Sequence, residues 1–112
     1  MVASTRRGEG RSTIAANLAS FFAQGGDRVL LVEADRRTDR ERPGFGLLDV
    51  LETGEDLKRA FIEPKGAPYT VLPYGGETLN HPSAVGGLMS GVTMRAMLKL
   101  ARQWFDVVVI DG

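Results

Sequence analysis

Val29-Leu30-Leu31-Val32-Glu33-Ala34-Asp35 is a run of four aliphatic residues closed by two carboxylates. A strand-length run with no polar face must be covered on both sides, which is the condition of a strand inside a parallel sheet. Phe105-Asp106-Val107-Val108-Val109-Ile110-Asp111 repeats the design, an apolar run delivering an acid at its end. Helical patterns stand between these runs. Ile14, Leu18, Phe21 and Phe22 recur at helical spacing with Ala15, Ala16 and Ala19 between them, and Gly25-Gly26 stop that helix. Residues 47–51 and 57–62 read as two short helices around Thr53-Gly54. Met94, Met97, Leu98 and Ala101 form one stripe of a helix over 89–104. Residues 69–72 make a further short strand closed by Pro73 and Gly75-Gly76, and residues 1–4 the end of a very short first one. Strands alternating with helices predict an α/β fold with a mainly parallel sheet and right-handed crossovers.

The chain has 112 residues, about one domain, and can bury roughly two-thirds of its unfolded surface. Hydrophobic residues at 43% and charged residues at 25% argue against disorder. Fourteen basic residues balance fourteen acidic ones, so no overall field favours nucleic acid, and none is expected as a partner. The absence of cysteine excludes disulfides, thiolate zinc sites and a cysteine nucleophile. No run reaches the roughly 18 apolar residues of a membrane span, and residues 1–13 are too polar for a signal peptide. The chain reads as one soluble unit without repeats.

Ligands of parallel sheets bind beyond the carboxyl ends of the strands. Three features fall there: the loop over 5–13, the pair Glu33 and Asp35, and Asp111. In Gly8-Glu9-Gly10-Arg11-Ser12-Thr13, glycines let successive N–H groups turn inward as a nest, and the following helix start adds about half a positive charge. Such a loop suits phosphate. Ser12, at the expected N-cap, offers a hydroxyl to magnesium, and Thr13 reaches toward a phosphate oxygen. A glycine turn with Ser12 or Thr13 merely capping the helix is the competing reading. Glu33 and Asp35, followed by Arg36 and Arg37, suit magnesium or its waters, or else form a solvated turn. His81, the single histidine, reads as a turn residue, Tyr69 and Tyr74 as structural, and Trp104 as packing beside the last strand. Arg36, Arg37, Arg40 and Arg42, interleaved with Asp39 and Glu41, read as a solvated loop.

Taken together, order and spacing resemble the P-loop NTPases with a deviant Walker A motif. Within that group they resemble the cytoplasmic ATPase domain of bacterial tyrosine kinases that regulate capsular and exopolysaccharide chain length. The resemblance rests on Gly8-Glu9-Gly10 with Ser12-Thr13 and Ala15-Ala16-Asn17-Leu18-Ala19, and on Arg28–Val32 followed by Asp35 and Arg37. Gly46-Leu47-Leu48-Asp49-Val50-Leu51, Leu72-Pro73, Asn80-His81-Pro82-Ser83 and Phe105–Asp111 extend it over nearly the whole chain. It implies a P-loop NTPase-like three-layer sandwich with an incomplete sheet. Residues 1–112 would form a single partial domain with Walker A at 5–13, Walker A′ at 29–37 and Walker B at 106–111. It also implies ATP or ADP with Mg2+ as cofactors. Gly8, Glu9, Gly10, Arg11, Ser12, Thr13 and Arg37 would hold the nucleotide, and Ser12, Glu33, Asp35 and Asp111 the metal. Arg11, Asp35 and Asp111 would be catalytic, in transfer of the γ-phosphate to tyrosine or water.

The expected setting is the cytoplasmic side of a bacterial inner membrane, with membrane polysaccharide co-polymerase and export proteins as partners and a homo-oligomeric state. Three departures temper this. Arg11 stands where the family has lysine, and a planar guanidinium is not equivalent to a compact ammonium. Glu33 replaces the usual aspartate, and the chain stops one residue past Asp111 without a tyrosine-rich tail, so reduced activity and a partial or truncated domain are expected. A non-catalytic nucleotide-binding or scaffold module is the alternative. A dimerising ATPase of the partition or division-site type is a second, disfavoured because Arg6 stands at its signature lysine.

Overall fold

The two aliphatic runs become neighbours in the sheet. In the computed structural model, which describes residues 1–5, 11–34, 44–54, 56–77, 87 and 91–112 except the side chains of 11–13, they are β2 (Val29–Glu33) and β4 (Val107–Asp111). With β1 (Val2–Thr5) and β3 (Thr70–Leu72) they form a four-stranded sheet of order β1-β4-β2-β3 in which every pairing is parallel.

Side chains alternate across a strand, so each run splits its residues between two cores. Val29, Leu31, Val71, Val107 and Val109 face α1 (Arg11–Gln24), which meets them through Ala15 and Ala19, both fully buried. Leu30, Val32, Leu72 and Val108 point the other way, toward α2 (Leu47–Thr53), a 3₁₀ turn (Leu57–Ala60) and α3 (Val92–Ala101). Helices therefore cover both faces, giving the expected three layers with an open sheet. All five residues of β2 are buried. Each fully buried Leu or Val side chain contributes about 1.5–3 kcal/mol of transfer free energy.

Four boundaries differ from the sequence reading. Thr5 belongs to β1, paired in register with Asp111, and not to the loop. Helix α1 begins at Arg11, so Ser12 lies inside the helix and not at its N-cap. The second short helix shrinks to the 3₁₀ turn, capped by the Asp56 carboxylate accepting from the Lys58 N–H at 3.0 Å. Ile62 leaves it for an antiparallel bridge with Val71, because Glu63 precedes Pro64 and the chain there is biased to extended backbone. Helix α3 runs over Val92–Ala101, shorter than the expected 89–104. Arg102–Trp104 continue only as turns, and Met89 lies outside the described residues. Gly54, at φ 71°, ends α2 in the left-handed region where a residue with a Cβ is strained. Among the described residues no helix is long and apolar enough to cross a membrane.

Candidate functional site

Because the strands are parallel, their carboxyl ends share one edge, and register sets what stands there side by side. Asp111 at the end of β4 pairs with Thr5 on one flank and with Glu33 on the other. Thr5, Asp111 and Glu33 thus form a row across three strands. On the other side of β2 the last pair is Val32 with Leu72, so β3 ends one residue short of that row.

Both carboxylates are nearly withdrawn from water, Glu33 7% and Asp111 5% exposed. The Thr5 hydroxyl lies 3.4 Å from Asp111 Oδ1 and from the Ile110 carbonyl, the long end of hydrogen-bond range. The ladder runs on past the strands: the Ala34 N–H donates to the Asp111 carbonyl at 2.9 Å, and Gly112 N–H to the Thr5 carbonyl at 3.3 Å. Helix α1 follows β1 and runs back across the sheet, so its first turn lies at this same edge. Carboxylate oxygens on adjacent strands are the donor type a hard divalent cation such as magnesium takes. Among the described residues no cluster of three or more metal-ligating side chains forms.

Of the residues expected from sequence, Glu33 and Asp111 are brought together. Gly8, Glu9, Gly10, Asp35, Arg37 and His81, and the side chains of Arg11, Ser12 and Thr13, lie outside the described residues. Two others were missed. Thr5 falls in the loop expected from sequence, and only the β1–β4 register reveals it beside Asp111. Asp49 had no role, yet it is fully buried and its Oδ2 accepts from the N–H groups of Gly46 and Gly76, each at 2.8 Å. The signal was present: an acid three residues past a helix N-cap is half of a capping box.

The opposite edge is built differently. Asp106 accepts from the Arg28 N–H at 2.8 Å and pairs with its guanidinium at 3.2 Å. Hydrogen bonds from the Arg28 side chain and then its backbone hold the Asp106 carboxyl below the ordinary carboxylate range, and Arg28 is correspondingly raised. Beside this pair, Phe61 meets Trp104 and Phe105 edge-on, with the Lys58 ammonium 4.6 Å from the centre of the Trp104 ring.

A parallel α/β sheet with buried acids at its carboxyl edge and a helix starting there is the frame on which open α/β domains bind their ligands. The chain belongs to the CobQ/CobB/MinD/ParA nucleotide binding domain family, which matches residues 1–110. It is 33% identical over 117 aligned positions to the tyrosine-protein kinase YwqD of Bacillus subtilis, covering 99% of this chain and 48% of that protein. The succinoglycan biosynthesis transport protein ExoP of Rhizobium meliloti is also 33% identical over 117 positions, with 98% of this chain and 15% of ExoP covered. Among solved structures, the BceF tyrosine kinase domain superposes with a TM-score of 0.75 at 28% identity, over 99% of this chain and 45% of that one. The chain spans about half the length of the curated kinases it matches.

Proposed function

We propose that this chain is the phosphate- and metal-binding segment of a bacterial tyrosine autokinase or ATPase domain serving exopolysaccharide or capsule chain-length control. The observation that carries the reading is the row of Thr5, Asp111 and Glu33 at the edge where α1 begins. Membership of a nucleotide-binding family and similarity to a tyrosine-protein kinase and an exopolysaccharide transport protein support it.

In this reading Walker A spans 5–13, Walker A′ 29–37 and Walker B 106–111. The backbone of Gly8–Gly10, with Glu9, Arg11, Ser12, Thr13 and Arg37, holds the phosphates. Ser12, Glu33, Asp35 and Asp111 hold magnesium or its waters, and Asp35 also orients the acceptor hydroxyl. Bound Mg-ATP supplies the phosphoryl group, and the chain contributes position and charge. Burial of Glu33 and Asp111 serves that purpose, since their fields act on a cation through little water. Membrane-bound export proteins are the proposed partners, at the cytoplasmic face of the inner membrane and with a homo-oligomeric assembly.

Arg11 favours a second reading, a nucleotide-binding or scaffold module with reduced or no turnover. A guanidinium in place of an ammonium shifts the charge, and about 1 Å of misplacement costs roughly 100-fold in rate. Calorimetric titration of Mg-ADP into the chain, repeated with Asp35→Ala, decides whether the site assembles. Binding that the substitution weakens supports the site, and wild-type silence rejects it. Arg11→Lys in a family-length protein is then expected to raise ATP turnover, and unchanged or lower turnover identifies Arg11 as the adapted residue.

A further inference from the structure

Of the three buried acids among the described residues, Glu33 and Asp111 end strands, whereas Asp49 sits off the sheet in α2 with no exposure at all. One oxygen, Oδ2, accepts from the N–H of Gly46, at the start of its own helix, and from that of Gly76, 27 residues further along the chain. Two backbone bonds lie beside it: Leu47 N–H to the Pro73 carbonyl at 2.7 Å, and Leu48 N–H to the Tyr74 carbonyl at 3.0 Å. The junction leaves no room. A Cβ on Gly46 would run into the Pro73 carbonyl oxygen and come within 2.8 Å of Gly75 Cα, and one on Gly75 would come within 2.5 Å of Asp49 Oδ2. Gly75 also holds φ at 76°, which side chains avoid.

A helix cap on the surface does not need a fully buried anion, because burying a carboxylate costs several kcal/mol unless it is well bonded. Charge-assisted bonds to backbone N–H groups offset that cost only while both donors stay in place, so the carboxylate makes the junction rigid. What it makes rigid is the loop leaving β3, which begins one residue after Leu72, the partner of Val32 in β2.

We propose that Asp49 is a positioning residue of the nucleotide site, clamping residues 73–76 as a fixed wall next to the end of β2, the strand that carries Glu33. This rests on the nucleotide-binding reading above. The test measures hydrogen exchange at the Gly46 and Gly76 amides, circular dichroism and Mg-ADP titration for the wild-type chain, Asp49→Asn and Asp49→Glu. The expected result is retained secondary structure in Asp49→Asn, at least tenfold faster exchange at Gly76, and Mg-ADP affinity about tenfold weaker, as for other groups that orient ligands from behind. Asp49→Glu, which keeps the charge but adds a methylene where the junction has no room, is expected to speed exchange and weaken affinity at least as much. Unchanged exchange at Gly76 overturns the clamp. Faster exchange with affinity within twofold of wild type, or loss of fold in both variants, reduces Asp49 to a purely structural role. Failure of the wild type itself to bind Mg-ADP sinks the nucleotide reading and the proposal with it, a result separable from the others because it appears before any substitution.

Discussion

The two ends of the same four strands treat their acids in opposite ways. At the amino end Asp106 is 42% exposed in its side chain and spends its charge on Arg28, itself 64% exposed. At the carboxyl end Glu33, Asp111 and Asp49 are all buried. An exposed pair is screened by water and contributes little to stability, whereas a buried carboxylate is tolerated only where bonds or a ligand justify it. The amino end also has aromatic packing around Trp104, while the carboxyl end has glycines in close contact at 46 and 75. One end exposes its acid to water and pairs it with a cation, and the other buries its acids.

Four substitutions probe the contrast between the two ends. Leu30→Ala removes a fully buried side chain, the second residue of β2, and is expected to cost about 2–5 kcal/mol in urea unfolding. Both ends should melt in that one transition; two separate transitions would show that they are independent units. Gly75→Ala places a methyl against backbone and the Asp49 carboxylate and should cost about 1–3 kcal/mol. A neutral result there would mean that the carboxyl edge is looser than its geometry.

Asp111→Asn should weaken Mg-ADP binding at least tenfold, about 1.4 kcal/mol, whereas Asp106→Asn should leave that affinity unchanged. Equal effects in titration would erase the division between the ends. The smallest effect is the pH dependence of Asp106. Its carboxyl is held below the ordinary range when folded, so its contribution is present above the ordinary carboxylate value and is lost as pH falls through the lowered one. Asp106→Asn should therefore flatten slightly the acid limb of a melting-temperature profile, and an unaltered limb would remove the pair from the account of stability.

Much of the fold was legible because continuous aliphatic runs and helical stripes are local patterns. Val29–Val32 and Val107–Ile110 have only one reading as strands, and Gly25-Gly26 only one as a stop. The site was legible in part. Glu33 and Asp111 could be placed at one edge from parallel topology alone, but not next to each other. Thr5 was hidden because a four-residue strand with alternating half-exposure carries almost no apolar signal. Asp49 was hidden because its second partner, Gly76, is distant in sequence.

Element order, the parallel class and the acids that end the strands are written in local sequence, since each follows from side-chain periodicity within a few residues. The order β1-β4-β2-β3, and with it the row Thr5–Asp111–Glu33 and the bond from Gly76 to Asp49, comes from long-range packing. Those pairings join segments up to about a hundred residues apart, and the packing of both faces of the sheet selects them, which no local propensity encodes.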